Sequence, residues 1–341
     1  MSSAANLNRQ WVLVRRPEGV PQADDFMLAE AVIEQPQPGQ VLLRNMFLAM
    51  DPAIRNVLGQ GGAYSQPLPL GAPVRGIVLG EVMESADPSL SPGDRAWGFG
   101  TWSDYSCGPA QGFVKIAGSD DLASHLHQLG TIGLTAAYGL FDIAGLRSGD
   151  RLLVTGAAGA VGSLVGQLAR AAGASRIVGI AGGPAKCALA VADYGYDVCL
   201  DYKSGDDLAA RIAEAFPDGI DVVFDNVGGD QLEMAIENIA KDGRIALCGM
   251  ISGYGEATPA AGPRNLWNLV ARTAQMRGFR VTDILLDRQR VAALQSRITA
   301  LMDAGRLRAD LDIRDGLETA PSAFSDLFDG SNSGRLLVRL K

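Results

Sequence analysis

The sequence predicts an α/β chain in two parts: a doubly wound, six-stranded parallel sheet, and a β-rich domain ahead of it that the C-terminal tail completes. Three observations predict this. Residues 151–186 read as strand, glycine turn, helix and strand. After them, apolar runs alternate with helical stretches to about residue 304. Before them, short apolar runs are cut by Pro and Gly, the pattern of short strands and turns. The domain boundaries drawn from this are 1–126 with 305–341 for the β-rich part and 127–304 for the parallel-sheet part.

The turn at the centre of the chain carries the first functional signal. Leu152, Leu153 and Val154 lead into Thr155, and Gly156, Gly159 and Gly162 then open a helix. Val161, Leu164, Val165, Leu168 and Ala172 recur at helical spacing and make one apolar face. A strand that feeds a glycine turn and a helix N-terminus presents free backbone N–H groups and the positive end of the helix dipole. Both favour a diphosphate, and the missing Cβ atoms let it come close. The spacing is G-x-x-G-x-x-G, with Ala157 where a G-x-G-x-x-G turn has its first glycine. A glycine triplet alone also suits a plain tight turn; its place between strand and helix makes it a dinucleotide signal.

A site for NAD places Asp or Glu at the end of the second strand, about 20 residues on, to bind the ribose 2′-OH. Here that strand ends Ile180-Ala181-Gly182-Gly183, with no acid, and Lys186 follows within a turn. A cation there suits the 2′-phosphate of NADP; the alternative is that Lys186 only solvates the next helix.

Composition excludes other classes. The chain has 341 residues, 47% hydrophobic and 20% charged, with 42 glycines, as expected for a folded α/β protein rather than a disordered or fibrous one. A net charge of −8 argues against a general nucleic-acid or anionic-membrane surface. No run approaches the roughly 20 apolar residues that span a bilayer. The opening MSSAANLNRQ does not resemble a secretion signal. Cys107, Cys187, Cys199 and Cys248 show no C-x-x-C spacing and read as buried thiols of a reducing compartment, the cytoplasm by default.

Taken in order, strands are expected at residues 11–14, 41–48, 74–82 and 113–116, with a turn and then a strand in SPGDRAWGFG (residues 91–100). Residues 122–144 read as helix. The parallel sheet takes its strands from residues 152–154, 177–180, 198–200, 220–224, 244–248 and 277–281, and a helix near 288–304 closes it. Residues 335–340 read as a strand that returns to the first domain.

Further motifs follow in order: LAMDPAIRN (48–56), AAGAVG (157–162), AGGPAKC (181–187), VCLDYK (198–203), DNVGG (225–229), CGMISGY (248–254) and GSNSGR (330–335). With them the chain resembles, over nearly its whole length, the zinc-independent medium-chain dehydrogenase/reductases. Within that family it is similar to the NADPH-dependent alkenal/one reductases: the prostaglandin, double-bond and curcumin reductases. The resemblance implies a Rossmann nucleotide domain and a GroES-like substrate domain. It also implies NADP(H) as cofactor, a small hydrophobic α,β-unsaturated carbonyl as substrate, and a homodimer.

Zinc members of the wider family need Cys, a Gly-His-Glu segment and a later Cys. Here the first position falls near Met50-Asp51, and the second near Val74-Arg75-Gly76. The only histidines, His125 and His127, lie two apart and read as surface or helix-end residues that cannot share a metal face. No metal site is expected.

By the same resemblance, Gly156, Gly159, Ala160, Val161 and Gly162 meet the diphosphate, and Lys186 and Tyr202 the 2′-phosphate end. Asn226 lies by the ribose or nicotinamide. Cys248, Gly249, Met250, Ile251, Ser252 and Tyr254 line the nicotinamide half, followed by Phe279, Arg280 and Val281, and Asn332 reaches back from the tail. Taken alone, Asn226, Tyr202 and Asn332 are ordinary turn residues.

With no triad and no metal in the sequence, the cofactor must carry the hard step, and the protein supplies orientation and hydrogen-bond donors. Tyr254 is the first candidate donor and Tyr64, in GGAYSQPLP (61–69), the second. Asp51 is expected to fix a turn and the pocket wall. Met50, Met250 and Trp267 are candidate walls for an apolar substrate, though core packing explains each equally well. Conjugate reduction of enones and enals is the activity implied. Quinone reduction on the same fold and a catalytically silent nucleotide-binding protein are the alternatives.

Overall fold

The apolar runs of the first part form strands β1 (Leu7–Leu13), β2 (Phe26–Val32), β3 (Gln40–Ala49), β4 (Arg75–Ser85), β5 (Arg95–Thr101), β6 (Tyr105–Pro109) and β7 (Phe113–Lys115). The computed structural model describes residues 7–59, 66–116, 118, 121–254 and 262–340. It divides into one unit of Met1–Leu126 with Leu311–Lys341 and a second of His127–Asp310.

The parallel sheet of the second unit takes β8 (Arg151–Thr155), β9 (Arg176–Ala181), β10 (Val198–Asp201), β11 (Ile220–Asp225), β12 (Ile239–Leu247) and β13 (Gln275–Gly278). Their spatial order is β10-β9-β8-β11-β12-β13, with every pairing parallel. β8 and β9 are almost wholly buried because helices cover both faces, so they read as continuous apolar runs instead of alternating ones. The order reverses direction between β8 and β11, which makes the C-terminal ends of those two strands the switch point where open α/β sheets bind ligands.

The tail adds β14 (Leu311–Asp315) and β15 (Arg335–Arg339), which join the first unit as β14-β15-β3-β4-β5-β7, with β6 also on β3. Its helix Ala320–Asp329 sends Phe324 into that unit's core, 5.3 Å from the fully buried Trp102, whose other neighbour is Phe26 at 5.7 Å. The tail is therefore part of the core of the first unit.

At the start of β15, Arg335 is only 2% exposed. Its Nε donates to the Leu126 carbonyl at 3.1 Å, and its Nη1 to the Met50 carbonyl at 3.1 Å and to Asp51 Oδ1 at 2.5 Å. A guanidinium is tolerated inside only when neutralised and hydrogen-bonded, and Asp51 with two carbonyls does both.

Three expectations are corrected. The helix over 122–144 is broken into a 3₁₀ turn (Leu122–Leu126), an α-helix (Thr131–Ala137) and a π-helix (Tyr138–Ile143). Gly133 passes so near residue 128 that a Cβ would stand 1.8 Å from the Gln128 carbonyl oxygen, and Gly139 is pressed against Phe279 and Phe224. The tight local turn at Gly133 and the distant contacts of Gly139 together override the periodicity. The sixth strand, expected at 277–281, is Gln275–Gly278, because Phe279 turns its ring inward onto Tyr138 (5.5 Å) and Phe224 (6.1 Å).

The chain leaves the second unit after Asp310, not near 304. Gln167 exchanges hydrogen bonds with the backbone of Arg308 at 2.7 and 2.9 Å, and Tyr194 donates to Asp310 at 2.5 Å, so this stretch stays tied to the second unit. Among the described residues, no helix is long and apolar enough to cross a membrane.

Candidate cofactor and active site

The glycine turn has the backbone that a diphosphate needs. Gly156 holds φ +63°, a conformation that favours glycine. A Cβ at Gly162 would lie 2.2 Å from the Gly156 carbonyl oxygen, so only glycine lets the helix start cross the turn so closely. Gly159 meets nothing nearer than 3.2 Å, and no side chain caps the helix Ala160–Ala171. Its first amides, at Ala160, Val161 and Gly162, therefore stand without a protein cap at the positive end of the helix dipole. This is a cradle that a diphosphate fits.

His127 is fully buried behind this turn, with Nε2 3.2 Å from the Ala160 carbonyl oxygen, an oxygen it can engage only as a donor. The expectation of a surface histidine is corrected. His125 is half-buried and falls in the other unit.

At the switch point, Thr155 at the end of β8 donates to Asp225 at the end of β11 at 2.7 Å. Asp225 is fully buried and also receives the amides of Val227 and Gly228. Desolvation pushes its carboxyl above the ordinary aspartate value, against the pull of these bonds. Asn226 donates its amide N–H to Thr155 Oγ1 at 2.8 Å and its Nδ2 to the Thr155 carbonyl at 2.7 Å. Asn226 thus links the two strand ends.

The segment after β12 is laid onto the segment after β11. Cys248 and Gly249 donate to the Asp225 carbonyl, Ile251 to the Asn226 carbonyl at 3.4 Å, and Ser252 Oγ to the Val227 carbonyl at 2.6 Å. Met250, 47% exposed, lies beside Gly228. The chain then turns through Ile251–Gly253, and the Tyr254 hydroxyl comes back to the head of β12. There it accepts the Met250 N–H at 3.4 Å, beside Gly249. Desolvation, with the Asp225 charge adding, pushes the Cys248 thiol up to about 12, so it stays protonated.

Lys186 and Tyr202, expected at the 2′-phosphate end, lie on neighbouring segments. Lys186 stands in the first turn of the helix Pro184–Asp193, after Gly183 at φ +94°. The exposed Tyr202 ring lies over Gly182, where a Cβ would meet the ring at 3.0 Å. Asp201 accepts the amides of Gly183 at 2.7 Å and Lys203 at 2.8 Å, tying the loops that carry Lys186 and Tyr202 together.

Other candidates are placed differently. The Phe279 ring and Val281 are partly buried against the second unit's core, and Arg280 pairs with Asp283 at 2.6 Å. Trp267 is 74% exposed on the short helix Trp267–Ala271 ahead of edge strand β13. In the first unit, Met50 is buried in the core, Asp51 pairs with Arg335, and Asn332 donates to the Gly334 carbonyl at 3.3 Å. Tyr64 lies outside the described residues. Among those described, no group of three His, Cys, Asp or Glu could hold a metal ion.

Sequence reasoning missed Thr155 and Asp225 as a pair, His127 as a buried residue, and Arg335. The first was within reach, since strand order β9-β8-β11 places the ends of β8 and β11 side by side.

Known oxidoreductases resemble the chain along nearly its whole length. Residues 9–116 match the family described as N-terminal domain of oxidoreductase, and residues 160–299 the one described as zinc-binding dehydrogenase. The NADPH-dependent curcumin reductase of Escherichia coli (strain K12) is 35% identical over 344 residues, covering 100% of this chain and 99% of that protein. The NADP(+)-dependent 2-alkenal reductase of Nicotiana tabacum is 34% identical, covering 97% of each. The crystal structure of CurA from Vibrio vulnificus in complex with NADPH superposes with a TM-score of 0.91 at 32% identity, over 98% of this chain and 99% of that one. The chain belongs to the medium-chain dehydrogenase/reductase family, in its alkenal/one reductase branch.

Proposed function

We propose that this chain is an NADPH-dependent reductase of the carbon–carbon double bond of α,β-unsaturated ketones and aldehydes, working without a metal. One observation carries the reading. The Tyr254 hydroxyl is folded back beside Gly249 at the ligand-binding end of the sheet, in a chain similar end to end to a curcumin reductase and a 2-alkenal reductase. NADPH, when bound, supplies a hydride for the β-carbon of the substrate.

The chain does the rest. The glycine turn and the uncapped helix start hold the diphosphate, and Lys186 and Tyr202 meet the 2′-phosphate. Asn226, fixed by Thr155, and the 248–254 segment, fixed by the carbonyls of residues 225–227, orient the nicotinamide end. Tyr254 donates to the carbonyl oxygen, where negative charge develops as the β-carbon is reduced. The test is steady-state NADPH oxidation with an enal, an aromatic enone and a quinone, after exhaustive chelation. Turnover of the first two at higher kcat/KM than the quinone is expected. Quinone turnover alone, or activity lost to the chelator and restored by zinc, overturns the reading.

We infer a homodimer built on the edge of the parallel sheet. Every residue of β13 is exposed, and Trp267 and the 95%-exposed Leu286 stand uncovered nearby in sequence. Sedimentation at twice the 35.8 kDa chain mass is expected; a single-chain mass refutes it.

A further inference from the structure

Two of the four cysteines, read from sequence as buried thiols, meet. Cys199 in β10 and Cys187 in the helix Pro184–Asp193 stand with their sulfurs 2.9 Å apart, 12 residues apart in the chain. Cys187 is buried, and its sulfur also faces the Ala181 carbonyl. The place matters more than the pairing. Cys187 directly follows Lys186 in the helix's first turn, and Cys199 stands three residues before Tyr202. Asp201 already clamps the loops that carry both phosphate-specificity residues. A link between these sulfurs therefore acts on the one part of the fold that distinguishes NADPH from NADH.

We propose that Cys187 and Cys199 are an oxidative modification site, closing to a reversible disulfide that lowers the preference for NADPH. The inference rests on the cofactor reading above. A disulfide needs its sulfurs at about 2.05 Å, so closure draws the first turn of the helix toward β10 and carries Lys186 with it. With a peroxide as oxidant the reaction balances. One sulfur attacks a peroxide oxygen and becomes a sulfenic acid as water or alcohol leaves. The second sulfur then displaces water from it and forms the S–S bond, so two thiols lose two electrons and two protons while the peroxide O–O bond is reduced. Dithiol reductants reverse it by exchange.

Burial pushes both thiols above the ordinary cysteine value, which leaves little thiolate at neutral pH. Closure is therefore slow and answers sustained exposure to oxidant. Cys248, also held as a thiol, has no cysteine partner among the described residues.

The experiment treats the full chain with hydrogen peroxide, alkylates the remaining thiols, and maps the non-reduced digest by mass spectrometry. Dissociation constants for NADPH and NADH are measured before oxidation, after it, and after dithiothreitol. A cross-linked peptide joining Cys187 to Cys199, lighter by two hydrogens, is expected. The NADPH constant should rise about tenfold, a large part of what one charge-assisted phosphate contact supplies, while that for NADH moves little. Dithiothreitol should restore both.

Cys187→Ala and Cys199→Ala, taken singly, should bind NADPH as the reduced protein does and ignore peroxide. Absence of the cross-link, or a cross-linked protein with its nucleotide preference unchanged, overturns the proposal. Failure of the cofactor reading shows separately, as a preference for NADH in the reduced protein before any oxidant is added.

Discussion

Tyr254→Phe is expected to keep NADPH affinity and to lose about 100- to 1000-fold in kcat, the cost of removing one donor aimed at a developing oxyanion. The reason is local. The hydroxyl is held beside Gly249 by the 3.4 Å bond from the Met250 amide, at the end of the sheet where the nicotinamide half is expected. The change deletes one oxygen from a partly exposed side chain, so folding stability should move by less than about 0.5 kcal/mol. A Tyr64→Phe variant is expected to act on KM and substrate range more than on kcat. Single-turnover reduction rates with saturating NADPH separate these. A Tyr254→Phe enzyme with unchanged kcat transfers the donor role to the cofactor's ribose hydroxyl, to Tyr64 or to water.

Lys186→Ala should remove most of the preference for NADPH over NADH. A charge-assisted contact to phosphate is worth roughly 1.5–3 kcal/mol, or about 10- to 150-fold in affinity. The loss should fall on NADPH alone, because NADH carries no 2′-phosphate for the ammonium to meet. The helix itself should survive, since Lys186 sits in a first turn that already has Pro184 and follows Gly183, and Ala is a good helix former. Equal weakening of both nucleotides, or an unchanged ratio, contradicts the assignment and leaves Tyr202 or another group to read the phosphate.

Much of this was legible in the sequence, and the exceptions share a cause. The glycine turn announced itself because Gly156 and Gly162 are required locally, by a positive φ and by a close backbone crossing. The strands of the parallel sheet are continuous apolar runs, which a buried sheet demands. What escaped was set by contacts between residues far apart in the chain. Arg335 opens a strand in the sequence, and its burial is explained by partners far off in the chain, Asp51 at 284 positions and the carbonyls of Met50 and Leu126. The π-helix at Tyr138–Ile143 and the displaced sixth strand both follow from Phe279 packing against Tyr138 and Phe224. Cys187 and Cys199 meet because a helix and the strand after it return to the same place, which no spacing of cysteines reveals.

The destination of the hydride tests the central claim most directly. An aromatic enone is reduced with NADPH deuterated at the transferred position, and separately with unlabelled NADPH in deuterium oxide, and the saturated product is read by nuclear magnetic resonance. The account predicts deuterium from the cofactor on the β-carbon and deuterium from solvent on the α-carbon. Cofactor deuterium on the carbonyl carbon, in an allylic alcohol product, would contradict it and make the enzyme a carbonyl reductase.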